Sequence, residues 1–329
     1  MLNVIQKVPI PTAGVALGLA ALGNLLQPYT EAIHVVCGAL AFALIALLAA
    51  KIVLFPNMIR DDLHNSILAS VSATLFMTLM QLAVYLAPAA YELAFAIWAA
   101  AVISHLALMG WFTARFIAHF KLHEVFPTYF ICYVGIVVAS VTSPTFAMTG
   151  AGHMLFWFGF ACYLVLLALV TYRYAKHEIP EAARPLFCIY TAPMSLSLVG
   201  YLATAADPNP LFVAAMLVLA QALFVLVLSK LPRLLRLRFY PSYAAMTFPF
   251  VITATALGKA LFFFRASGVA LPEALDLLFV AETAIAIVMV AYVFSHYVRF
   301  FVRRIEQPQS AAVLQENQQI ARFSENFDN

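Results

Sequence analysis

The chain has 329 residues, 64% apolar and 10% charged, where a soluble domain is nearer half apolar and a quarter charged. That balance excludes a water-soluble globular protein, because no core of this size needs so much apolar surface and lipid must solvate part of it. The net charge of +3 is small and unevenly placed, which argues for membrane topology and against nucleic-acid binding.

A helix that crosses ~30 Å of hydrocarbon needs about 20 residues. On that ruler the sequence predicts an all-α integral membrane protein with ten transmembrane helices, near 8–27, 31–54, 66–87, 90–114, 126–146, 150–172, 185–205, 210–229, 241–265 and 272–298. Helix ends are expected at Gln27-Pro28, Phe55-Pro56, Ala87-Pro88, Ser143-Pro144, Asp207-Pro208 and Leu231-Pro232, because proline disfavours helix in the residue before it. The N-terminus lacks a signal-peptide pattern, so the first span is expected to be retained. One pore domain, 1–304, is followed by a polar tail, 305–329, rich in Gln and Asn.

Of the 18 Lys and Arg residues, 16 fall on one side of this arrangement, and only Arg265 and the intramembrane Lys259 lie elsewhere. The positive-inside rule then puts both termini and the tail in the cytoplasm, which requires an even number of spans. The charge pattern and the hydropathy agree on ten.

A repeat runs through the odd-numbered spans. Phe126-Pro127-Thr128-Tyr129 opens the fifth, Arg184-Pro185-Leu186-Phe187 the seventh and Tyr240-Pro241-Ser242-Tyr243 the ninth. Thr191-Ala192-Pro193 and Thr247-Phe248-Pro249 keep the same register. Ser66 opens the third span where the others have proline, and Pro11-Thr12 opens the first. Five helical hairpins in a quasi-fivefold arrangement follow, with the Pro-broken odd helices as an inner ring around a central pore. Broken backbone is tolerated beside protein or a water-filled cavity and poorly beside lipid.

Seven positions after each opening residue stand Gly18, Ala73, Val134, Ala192 and Phe248. Under the repeat these five share one depth, about 10 Å into the helix. One ring among four smaller residues reads as a pore gate at Phe248, with Thr247 and Pro249 setting its backbone; ordinary packing is the plainer alternative. Thr255 and Lys259 fall close to the face of Phe248, so Lys259 either faces an outer vestibule or pairs with Glu282 on the tenth span. Thr247, Pro249, Thr255 and Lys259 are therefore pore-lining candidates together with the small residues of that layer.

The odd spans carry hydroxyls at Ser70, Ser72, Thr74, Ser140, Thr142, Thr191, Ser195, Ser197, Thr247, Thr253 and Thr255. They either line a polar path or bond the preceding turn. No Asp or Glu lies in the interior of an odd span, which suits anions better than cations. His34, His105 and His153 sit on even spans, where bonding across helices is expected rather than proton relay. The GxxxG match Gly14-Val15-Ala16-Leu17-Gly18 permits close helix approach. Cys37, Cys132, Cys162 and Cys188 read as packing residues. No catalytic or metal-binding motif is present, so no enzyme activity, metal or cofactor is expected.

At these residues the chain resembles the tellurite-resistance/dicarboxylate transporter family, which takes in TehA-like bacterial proteins, fungal malate permeases and the slow anion channels of plant guard cells. The resemblance lies in Pro9-Ile10-Pro11-Thr12-Ala13-Gly14 with Leu17-Gly18-Leu19 through Gly23, and in Phe126 through Phe130. It continues in Arg184-Pro185 through Ala192-Pro193-Met194-Ser195, and in Tyr240 through Pro249. It covers about residues 8–298. It implies five hairpins around a pore, a trimer with one pore per protomer, and an occluding phenylalanine on the ninth helix, here Phe248. Ala16 and Ser66 depart from the family's prolines, which affects the kinks of the first and third helices.

Three readings of function stand. The leading one is an anion-selective channel or channel-like transporter of a bacterial inner membrane, acting on small inorganic or organic anions as a homotrimer in lipid. The second is a secondary carrier of C4-dicarboxylates or of sulfite- or tellurite-type oxyanions, with Glu282 or His105 in a proton relay. The third is a membrane-embedded enzyme or sensor.

Overall fold

The computed structural model describes residues 5–306, and all regular structure among them is helical. Segment α1 is Thr12–Leu26, α2 is Glu31–Leu54 and α3 is Ser66–Leu86. Segment α4 is Tyr91–Ile117, widened to a π-helix over Thr113–Ile117. Segment α5 is in pieces: Thr128–Tyr133, Val137–Thr142 and a 3-10 turn, Ser143–Phe146. Segment α6 is Thr149–Lys176. Segment α7, Glu181–Thr204, starts as 3-10 helix, and α8 is Pro210–Leu234. Segment α9, Pro241–Ala266, also starts as 3-10 helix, and α10 is Ala274–Glu306. Among the described residues, eight helices are long and apolar enough to cross a membrane, while α1 and the 137–146 part of α5 are shorter apolar helices.

Four of the five odd segments are interrupted at nearly one register; α1, expected to be broken like the others, is one continuous helix because its prolines, Pro9 and Pro11, precede it. α3 turns at Ser72, α5 at 134–136, α7 passes from 3-10 to α-helix at Thr191, and α9 breaks at Thr247. Pro193 and Pro249 stand in the first turn of the α-helical parts, where their missing N–H costs nothing. Their rings would clash with the carbonyl four residues back, so the α-helix cannot extend through the break. In α5 the N–H groups of Val134 and Gly135 both donate to the Phe130 carbonyl, at 2.8 and 3.1 Å. A side chain at Gly135 would overlap the Ile131 carbonyl, so only glycine fits that turn.

The odd segments touch in a closed order: α1 packs on α3, α3 on α5, α5 on α7, α7 on α9, and α9 returns to α1. Each even segment lies against two consecutive odd ones. Burial follows this plan: over an 18-residue apolar stretch of each, 83% of residues are buried in α7 and 67% in α9, against 28% in each of α4, α6 and α8. The even segments carry an apolar outer face, including Val36, Phe42, Ile103, Val165, Val218 and Val288, as a lipid-facing surface requires. Phe262 is the only exposed large apolar side chain on an odd segment among the described residues.

Side-chain bonds gather several connections at one end, called the basic end below. Lys51 donates to the Val8 carbonyl at 2.8 Å and lies 3.5 Å from Asp62, so the α2–α3 connection holds the chain that leads into α1. Burial pushes the Asp62 carboxyl up, with the Lys51 ammonium acting in the opposite sense. Ser66 donates to the Glu124 carbonyl, and Tyr297 of α10 donates to the Pro241 carbonyl. Arg173, at the end of α6, donates to the His123 and Glu178 carbonyls at 3.1 and 3.3 Å. Its guanidinium lies 4.2 Å from the centre of the Phe126 ring and is fully buried. Thus the entries of α5 and α7 hang on one side chain.

Several boundaries differ from the sequence expectation, among them the start of α7 at Glu181 rather than 185 and the end of α4 at Ile117 rather than 114. α1 begins at Thr12 rather than 8, after Pro9 and Pro11. α6 and α10 run on to Lys176 and Glu306, past 172 and 298. Leu231-Pro232 does not end a helix; α8 continues to Leu234, because Pro232 is exposed in its last turns, where solvent can take up the freed carbonyl. The tail beyond 306 lies outside the described residues.

Candidate functional site

A cavity of about 640 Å³ opens between the odd segments from the basic end. All five contribute to its wall: Leu17 from α1, Thr74 from α3, Val134 from α5, Ala192 from α7 and Phe248 from α9. Its deep end coincides with the interrupted register, so the breaks face a cavity rather than lipid. The wall is mostly aliphatic and aromatic.

Of the nine sequence candidates, Val134, Ala192, Phe248 and Pro249 line this cavity. Gly18, Ala73, Thr247, Thr255 and Lys259 do not. In α3 the turn at Ser72 carries Thr74, not Ala73, to the wall. In α1 the wall is formed by Gly14 and Leu17, while Gly18 is pressed against α9. Thr255 and Lys259 lie two and three turns beyond Phe248, past the cavity. Lys259 is exposed and makes no ion pair with Glu282. Glu282 is instead buried near Gln221 of α8, and neither carboxylate oxygen has a well-formed hydrogen bond among the described residues.

Thr247 has φ −108° and ψ −87°, outside the helical region, and turns the chain into Phe248. Its hydroxyl oxygen lies 3.0 Å from the Gly14 carbonyl and 2.8 Å from the Ala244 carbonyl, and its one proton is shared between the two acceptors. A Cβ on Gly18 would stand 2.5 Å from the Thr247 Cβ and 3.1 Å from the Phe248 nitrogen. The GxxxG face of α1 therefore clamps the break that carries the Phe248 ring. Gly18→Val is expected to cost roughly 1–3 kcal/mol through overpacking against backbone. Thermal unfolding in detergent checks this: the midpoint is expected to fall in Gly18→Val and to hold in Ala215→Val, a change on the exposed face of α8. Equal midpoints in the two variants would show that the clamp is slack.

The hydroxyls are largely self-satisfied. Ser70, Ser72, Thr142, Ser197 and Thr255 each donate to the carbonyl four residues back. Thr191, Ser195 and Thr253 form a buried cluster that joins α7 to α9, with the first two hydroxyls 2.9 and 3.2 Å from the third. Only Thr74 of the predicted hydroxyl set reaches the cavity wall. The histidines bond across helices as expected: His34 to Asn24 at 3.2 Å, His105 to the Cys132 carbonyl at 2.9 Å, and His153 to Thr204 at 3.4 Å. The four cysteines are free, three buried and Cys162 half-buried.

Two charged residues at the mouth, Glu181 and Arg238, escaped sequence reading. Both stand outside the predicted spans, and nothing in the linear pattern pairs them.

Comparison with curated proteins returned no match. A family model described as SLAC1, voltage-dependent anion channel, matches residues 7–299, which takes in all five odd segments. With the closed ring of odd segments and the cavity between them, this chain belongs to the voltage-dependent anion channel family, whose members move anions across membranes.

Proposed function

We propose that the chain is a ten-span anion channel of a cell membrane, with its conduit enclosed by the five odd segments and occluded by Phe248. The observation that carries this is the cavity that receives wall residues from all five and includes the Phe248 ring. The apolar wall is consistent with occlusion by exclusion of water: an ion cannot shed its hydration shell against Val, Leu and Phe, so a ring at the narrow point stops conduction. The α-helical parts that restart at Ala73, Ala192 and Phe248 turn their N-termini toward this region. Those termini carry partial positive charge, which favours an anion without binding it tightly. The basic end, with its excess of Lys and Arg, faces the cytoplasm under the positive-inside rule. A trimer with one path per protomer follows from the family resemblance.

The test is a reversal-potential series in planar bilayers across chloride, nitrate, sulfite and malate. Reversal potentials that follow the anion gradients support the proposal; potentials that follow the cation gradient sink it. The carrier reading has one observation in its favour, the buried Glu282 carboxyl without a charged partner among the described residues. Uphill malate uptake driven by a pH gradient in proteoliposomes, lost in Glu282→Gln, would select it.

A further inference from the structure

The cavity mouth carries the only two charged side chains on its wall among the described residues, Arg238 and Glu181. They are joined through Tyr240. The Arg238 Nε donates to the Tyr240 hydroxyl, and that hydroxyl donates to Glu181 Oε1 at 2.8 Å. Arg238 Nε lies 3.9 Å from Glu181 Oε1, and the guanidinium stands 5.0 Å from the Tyr240 ring centre. The phenol has one proton and gives it to Glu181, leaving a lone pair for Arg238. Beside this relay Ser242 donates to the Ala182 carbonyl at 2.5 Å, so the opening turns of α7 and α9 are already fastened without it.

The charged side chains keep 63% and 49% of their surface exposed. An ion pair so exposed adds little to stability, because water screens it. Its effect on a neighbouring path is another matter. Unmasked, Arg238 would concentrate anions at the mouth; with Glu181 beside it, the pair itself presents almost no net charge to an entering anion.

We propose that Glu181 is a conductance-limiting residue, a charge brake that masks Arg238 and holds down the anion concentration at the cavity mouth. This rests on the anion-path reading above. One unit charge about 6 Å from an ion in water changes its local concentration about threefold, and salt removes the effect. Glu181→Gln deletes the charge while its amide oxygen still accepts the Tyr240 proton. A brake and a mere fastener are thereby separated.

The experiment records unitary chloride conductance in Phe248→Ala protein, with and without Glu181→Gln, at about 0.02 M and about 1 M salt, where the screening length falls to roughly 3 Å. The expected result is an increase of about threefold at low salt and none at high salt, with Glu181→Ala matching Glu181→Gln and Arg238→Gln lowering the low-salt value. A change of equal size at both salt concentrations overturns the brake, as does an effect of Glu181→Ala that Glu181→Gln lacks. If the folded Phe248→Ala parent carries no anion current, the anion path fails and the brake with it. If the parent conducts and Glu181→Gln changes nothing, the brake alone fails.

Discussion

Phe248→Ala is expected to raise anion conductance tenfold or more in a bilayer recording, on the order expected when a dry constriction becomes wet. The ring stands on the cavity wall at the first position of the α-helical part of α9, next to Pro249. It is 6% exposed, so its removal enlarges the cavity instead of leaving a sealed void. The backbone that holds it stays fixed, because Thr247 keeps its bonds to the Gly14 and Ala244 carbonyls. The effect is therefore graded by side-chain size: Phe248→Leu is expected to conduct less than Phe248→Val, and that less than Phe248→Ala. Phe250→Ala is the control. Phe250 is fully buried against Phe224 and away from the cavity wall, so its loss is expected to cost roughly 3–5 kcal/mol of stability without opening a path. Conductance that ignores size at position 248, in variants that elute as folded protein, would remove the ring from the mechanism.

The second large effect is on stability. Arg173→Ala is expected to destabilise the protein by roughly 3 kcal/mol or more, since it strands two backbone carbonyls and removes a cation from an aromatic face. Those carbonyls belong to His123 and Glu178, in the connections that lead into α5 and α7. Loosening them loosens two of the five walls. Arg173→Lys is expected to recover only part of the loss, because one ammonium does not reproduce a flat fork that stacks on Phe126 while donating in two directions. Thermal unfolding in detergent checks both, and a midpoint unchanged in Arg173→Ala would show that the buried guanidinium is dispensable.

Much of the architecture was legible in the sequence because it rests on period and composition. Apolar runs near 20 residues marked the long helices, and the repeated Pro spacing at 127, 185 and 241 marked the segments that break and close into a ring. The wall was less legible. A register of seven found Val134, Ala192 and Phe248, which lie in repeats that open with proline. It missed by one at Ala73, where Ser66 replaces proline and a turn at Ser72 shifts the phase. It missed at Gly18 because glycine there answers a neighbouring helix, not a cavity. Arg238 and Glu181 are 57 positions apart, and only the folded chain brings such residues to one mouth.

The most direct test of an occluded conduit uses Ala192→Cys in a background with the four native cysteines replaced. Its side chain lines the cavity that opens from the basic end. A charged, membrane-impermeant thiol reagent is expected to modify it when added at the basic end and not when added at the opposite face. With Phe248→Ala added, modification is expected from both faces. Equal labelling from both faces with Phe248 in place, or none from the basic end, would contradict the account.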